Sequence, residues 1–271
     1  MEHEAAQERL EKSPDTAFMR PRREAPFQPL YGLVGRDFGL SGSTLKILAC
    51  VTMLIDHSAA TILKDLGSLA FQQGRIELYQ QISSAYRIFR GIGRLAFPIF
   101  CFLLVEGFFH TRSVRKYALR LFLFALFSEF FFDFALKPNY FYPEKQNVFF
   151  TLLIGLITIY SMDLAQRMPI LQFMAAAAGM FFAEGLMTDY NWKGVFLIVV
   201  LYFFHEYPLY SCIVGAMAIS WENVAPLSFI PIYLYNGKRG LSLKYAFYFF
   251  YPVHLLFLGL ISHFVLPHIR L

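Results

Sequence analysis

Long apolar windows, separated by short polar breaks, dominate this chain from residue 44 onward. They run approximately over residues 44–63, 89–110, 115–136, 147–165, 168–188, 192–206, 208–221, 224–236 and 243–267. At a rise of about 1.5 Å per residue, roughly 20 apolar residues cross a hydrocarbon core of about 30 Å. Strands of a membrane barrel would alternate with period two, and these windows are continuously apolar instead. The pattern predicts an all-α, polytopic transmembrane helical bundle of about nine transmembrane helices, spanning residues 44–267. The sixth to eighth windows are the shortest. Residues 1–40 are polar and rich in Pro, Arg and Glu, which predicts a disordered cytoplasmic tail. The stretch LKDLGSLAFQQGRIELYQQISSAYRIFR, between the first two windows, reads as a loop. Part of it has the composition of an amphipathic surface helix.

Composition agrees with that pattern. Hydrophobic residues make up 57% of the chain and charged residues only 16%, against about a quarter in soluble domains. Mean hydropathy is +0.47. The net charge of +5 fits a positive-inside bias, and no basic run is long enough for a nucleic-acid arm. Basic residues cluster in the tail (Arg9, Lys12, Arg20, Arg22, Arg23, Arg36), after the second window (Arg112, Arg115, Lys116, Arg120) and before the last (Lys238, Arg239, Lys244). With nine crossings and the tail inside, all three clusters fall on the cytoplasmic side. Cys50, Cys101 and Cys212 lie inside apolar windows without CxxC spacing and read as small apolar filler.

Charges within those windows carry the chemistry. An ionisable group at the centre of a membrane helix costs roughly 2.5–3.5 kcal/mol on insertion scales, so such groups face the bundle interior. In the predicted topology Asp56 and His57 lie in the outer half of the first helix. Arg94 lies at the same depth on the second, one turn before Pro98. Glu129 and Asp133, four residues apart on one face of the third, also reach that depth. Asn147 and Thr151 open the fourth helix. These seven residues are expected in one layer, with Arg94 placed to pair with Glu129 or Asp133. A second group lies towards the cytoplasm: Glu106 and His110, followed by the basic residues up to Arg120, which suit phosphate recognition. His254 lies in the last window. Glu184, His205, Glu206 and Glu222 stand near window ends and are expected to reach the interface. No HExxH, paired CxxC, Walker loop or GxGxxG occurs, so no metal site is expected.

A neutral histidine held away from water can serve as a general base or carry an acyl group. A carboxylate would then hold the other ring nitrogen and stabilise the imidazolium. Asp56 is the nearest by sequence, but consecutive helical residues point about 100° apart, which leaves Glu129 and Asp133 as alternatives. Buried Asp, His, Arg and Glu would also serve a proton-coupled transporter, although neither inverted symmetry nor a matched pair of broken helices is visible. A non-catalytic scaffold for envelope assembly is a third reading.

The segments TMLIDH, IGRLAFPIFCFLLVEGFFHTRSVRKYALRLFLFALFSEFFFDF, NVFFTLLIGL, YNGKRG and YFFYPVHLLFL, in that order, resemble the TraX family over roughly residues 44–267. That family is named for conjugal transfer, and its founding activity is N-terminal acetylation of pilin at the inner membrane. The IDH is also similar to a motif near the start of other membrane acetyltransferases that use acetyl-CoA. The resemblance implies a multi-pass protein of the bacterial inner membrane that moves an acetyl group from acetyl-CoA to an amine on a peptide or small molecule. His57 would be the catalytic histidine, with Asp56 beside it. Arg94, Glu106, His110, Arg112, Arg120, Glu129, Asp133, Asn147, Thr151 and His254 would bind substrate or coenzyme A. The tail before residue 40 lies outside the family pattern. TraX-like proteins also occur without a conjugation system, so the acceptor need not be a pilin.

Overall fold

The structure, a computed structural model, describes residues 39–137, 142–241 and 244–269. The expected tail over residues 1–40 lies outside the described residues, Gly39 and Leu40 excepted. The described residues form helices joined by short turns, with two isolated β-bridges. Helix α1 (Gly42–Ser58) runs through a π-helical turn (Ala59–Leu63) into α2 (Lys64–Gln72). After a turn come α3 (Ile76–Gly93) and α4 (Ala96–His110), then α5 (Val114–Leu136), α6 (Val148–Leu164), α7 (Pro169–Gly185), α8 (Asn191–Phe203) and α9 (Pro208–Ala218). A 3-10 turn (Ala225–Ser228) leads into the short α10 (Phe229–Tyr233). Helix α11 (Lys244–Leu260) ends in a second π-helical turn (Ile261–Val265).

These elements follow the predicted windows and form an all-helical membrane bundle, for which about nine passes is a fair count. Side-chain exposure shows why. On α5, Leu119, Phe122, Leu123, Leu126, Phe127 and Phe130 are all exposed. Their spacing of three and four residues is one continuous helical face. A soluble protein does not present such a stripe to water, whereas lipid tails accept it. The opposite face, with Leu121, Ala125, Ser128 and Phe132, is buried. Helix α8 lies inside the bundle, with Val195, Leu197, Ile198, Val199, Val200 and Leu201 all buried.

The expected loop over residues 63–90 is helical instead. Gly42–Gln72 and Ile76–His110 form two long helical rods of 31 and 35 residues, the second interrupted at Arg94 and Leu95, the two joined by a turn at Gln73–Arg75. Their lengths are about 46 and 52 Å at the α-helical rise, so the hairpin tip extends beyond a hydrocarbon core of about 30 Å. The polar residues that suggested a loop form the outer face of α2 and α3, which pack on each other.

Leu40 bridges to Tyr235, and the Gly42 and Ser43 amides donate to the carbonyls of Lys238 and Arg239 at 2.8 and 3.0 Å. The residues after α10 are thereby fixed beside the start of α1. Following the helices back and forth, the α4–α5, α6–α7 and α8–α9 connections share that end. The α2–α3 hairpin, the α5–α6 connection and residues 186–190 and 219–224 stand at the other.

Candidate functional site

The site is built on α1, which packs against both α3 and α11. Helix α1 brings Asp56 and His57, and the π-turn follows directly. Its Thr61 hydroxyl donates to the His57 carbonyl at 2.7 Å, and such one-turn insertions are frequent at functional positions. Close approach of α3 depends on Gly93. A methyl group built there would lie 2.2 Å from Asp56 Cβ, so no larger residue fits without moving the carboxylate.

Arg94 stands in the break between α3 and α4. Its amide and that of Leu95 make i→i+3 bonds to Gly91 and Ile92, both at 3.2 Å. Pro98 explains the break. Proline has no N–H to offer the Arg94 carbonyl, and its ring clashes with that carbonyl in a regular helix. The guanidinium is thereby turned towards the opposite-end loops.

Four charges then form two ion pairs on neighbouring turns. Arg90 pairs with Asp56 Oδ2, and Arg94 Nε lies 3.2 Å from Glu222 Oε2. Tyr190 and the Asp56 carboxylate act electrostatically on Arg94. Tyr190 stacks on Phe97 with ring centroids 3.5 Å apart. Trp221 packs near Tyr190 and receives the Lys193 ammonium over its ring at 4.6 Å. Asp56 Oδ1 is buried without a hydrogen-bond partner.

His57 meets His254 of α11. His57 Nδ1 and His254 Nε2 are 2.6 Å apart, and the rings are almost parallel, at 5°. His254 Nδ1 lies 2.7 Å from the Phe250 carbonyl. On its other side, His57 Nε2 is 4.0 Å from Asp56 Oδ2. Tyr251 sets its ring edge against both imidazoles. The nitrogen expected to meet a carboxylate thus meets a second histidine. Asp56 instead pairs with Arg90 and faces the far nitrogen.

Six of the seven residues expected in one layer fall into two groups. Asp56, His57 and Arg94 belong to the site just described. Glu129, Asp133 and Asn147 organise the α5–α6 connection. The Asn147 amide donates to Glu129 Oε2 at 3.0 Å, its side-chain amide donates to the Ala125 carbonyl at 2.8 Å, and its Oδ1 accepts from the Phe149 amide at 2.9 Å as the N-cap of α6. Asp133 Oδ2 accepts from the Tyr142 amide at 2.8 Å. Arg94 therefore pairs with Glu222 and not with Glu129 or Asp133. The two acids satisfy backbone donors that apolar surroundings would otherwise leave orphaned. Thr151 is fully buried against α8, where a methyl group on Gly194 would meet its Cγ2 at 2.5 Å.

The second expected group lies at the end where α1 begins. Glu106 is buried, and its Oε1 is 2.6 Å from His205 Nε2. Phe109 stacks on that imidazole at 3.9 Å. His110 stands 3.8 Å from Glu106 Oε2 but donates its Nδ1–H to the Glu106 carbonyl at 2.8 Å. Arg120 lies over Tyr117, and its Nε is buried without a partner. Arg112 is exposed on the connection. His205 and Glu222 were expected at the interface. His205 turns inward and is 2% exposed, while Glu222 is half-buried in its ion pair with Arg94. Glu184 and Glu206 are exposed. Among the described residues no cluster of His, Cys, Asp and Glu has metal-binding geometry.

Sequence reasoning did not single out Arg90 or Tyr190, and it gave His205 and Glu222 no partner. Arg90 was legible: it precedes Arg94 by four residues, one helical turn. Glu222 was not, because 128 residues separate it from Arg94 and its own surroundings are an ordinary polar connection.

The sequence profile of the TraX protein family matches residues 41–262. A probable fimbrial assembly protein, FimC of serogroup H1, from Dichelobacter nodosus is 29% identical over 252 residues, covering 82% of this chain and 96% of that protein. No solved structure gives a significant match. The profile spans the whole helical bundle, from the cap of α1 to the π-turn after α11, and on that extent of agreement the chain belongs to the TraX family of membrane proteins.

Proposed function

We propose that this protein is an acyl-CoA-dependent N-acyltransferase of the bacterial inner membrane, with its N-terminal tail in the cytoplasm. It would transfer the acetyl group of acetyl-CoA to an amine. The observation that carries the proposal is His57, an imidazole within a membrane helix that is held by a second imidazole at 2.6 Å and has a carboxylate 4.0 Å from its other nitrogen. That is the equipment of a general base. Family membership and the ion pairs around Asp56 support it.

In the reaction, His57 Nε2 takes a proton from the amine as its nitrogen attacks the thioester carbonyl. A C–N bond forms and the C–S bond breaks. The imidazolium, stabilised by Asp56, returns the proton to the departing thiolate. Arg94 and Tyr190 stand nearby as donors for a developing oxyanion. The donor's phosphates would be recognised at the opposite end, by Arg112, Arg115, Lys116 and Arg120. Arg94 and His110, which ends the rod just before Arg112, are sixteen residues apart, about 24 Å, a distance left to the donor's flexible arm. The relative named as a fimbrial assembly protein makes a fimbrial subunit's N-terminus one candidate acceptor.

The test is thiol release from acetyl-CoA by protein in nanodiscs, with peptide and small-molecule amines as acceptors. His57→Ala should lower the rate by about 100-fold or more, the range of general-base catalysis. Equal rates with and without His57 would overturn the proposal.

A further inference from the structure

The two histidines do not play equivalent parts, and backbone chemistry decides which is which. A carbonyl oxygen only accepts hydrogen bonds, so the 2.7 Å contact to Phe250 requires the proton of His254 to sit on Nδ1. A neutral His254 then carries a lone pair at Nε2. The 2.6 Å contact to His57 is satisfied only when His57 donates from Nδ1. A neutral His57 protonated at Nδ1 has its lone pair at Nε2, the nitrogen facing Asp56 Oδ2 at 4.0 Å.

We infer that His254 is a positioning residue that sets the tautomer of His57, using the Phe250 carbonyl as the fixed reference, and so directs the unprotonated nitrogen of His57 towards Asp56. Its assignment among substrate- or coenzyme-binding residues is replaced by this one. The order is Phe250 carbonyl, His254, His57, Asp56, Arg90. A histidine here does what a carboxylate does in the familiar arrangement, without placing another net negative charge inside the membrane. The near-parallel rings and the edge of Tyr251 against both leave little freedom for either ring to turn. The orientation stands on the hydrogen bonds alone. Its catalytic consequence rests on the acyltransferase reading above.

The experiment has two arms so that the two ideas can fail separately. In the first, protein labelled with ¹⁵N-histidine in nanodiscs is examined by NMR, His57 and His254 being assigned with His57→Ala and His254→Leu. Wild type should show both rings as Nδ1–H tautomers, and His254→Leu should remove the bias at His57. A His57 protonated at Nε2 in wild type, or unchanged in His254→Leu, overturns the inference whatever the activity. In the second arm, His254→Leu should lower kcat by on the order of 100-fold while the KM for acetyl-CoA stays within about threefold. His254→Gln, whose side-chain oxygen can accept from His57 Nδ1–H, should recover most of the loss. A raised KM at constant kcat, or a Gln variant no better than Leu, would make His254 a binding residue instead and overturn the inference. If wild type has no transfer activity, the acyltransferase reading fails and the NMR arm alone decides the orientation.

Discussion

Asp56 and His57 are consecutive, yet they answer to different helices. Asp56 is held by Arg90 of α3 and His57 by His254 of α11. Side chains about 100° apart on one helix must reach different neighbours, which is why the adjacent carboxylate does not orient the imidazole through its near nitrogen. The same logic applies at Glu106. It depends on His205, 99 positions away, and its carboxylate is buried. His205→Ala should therefore lower stability by about 3 kcal/mol, since a buried acid loses its partner. Glu106→Gln combined with His205→Ala should recover part of that, because the uncompensated charge is gone. Thermal unfolding in detergent checks both. The sequence marked Glu106 as a buried acid but showed nothing of His205's role, since a histidine beside a helix end looks the same facing in or out.

At the scale of single elements, the α3–α4 rod shows how local chemistry aims a side chain. Pro98, one turn beyond Arg94, breaks the helix at Arg94, and Gly93 lets the rod touch α1. Gly93→Val should push Asp56 aside and reduce transfer at least tenfold, by the cost of a misplaced catalytic group. Gly91→Ala, whose new methyl would meet Val224 at an ordinary 3.4 Å, should leave transfer within about twofold. Steady-state rates of the two variants separate the outcomes. Helix α6 gives a second case. Its cap, Asn147, bonds α5 as well as its own first turn. Asn147→Ala should cost about 1–2 kcal/mol of stability, read as a lowered unfolding temperature, while acetyl-CoA KM is unchanged. The cap was legible from Asn-Val-Phe-Phe-Thr at the head of an apolar window. Its bond to α5 was not, because that depends on two helices meeting.

At the scale of the whole molecule, alternating helices carry both polar groups to opposite ends. Single cysteines at Gly74 and Lys238 should accept membrane-impermeant maleimide from opposite sides of the membrane, and cysteines at Arg112 and Lys238 from the same side. Labelling of Gly74 and Lys238 from one side would contradict the helix order. The native cysteines are buried and should remain unlabelled in the folded protein. By itself, the sequence determined the class of fold, the approximate helices, the membrane setting and the identity of the histidine and carboxylate worth testing. Each of these follows from hydrophobic length or from the cost of a charge in lipid, which are properties of one segment at a time. Only the tertiary structure decided the partners: His254 for His57, Arg90 for Asp56, Glu222 for Arg94 and His205 for Glu106. Pairing depends on how helices rotate and approach one another, and that is settled by packing between segments far apart in the chain.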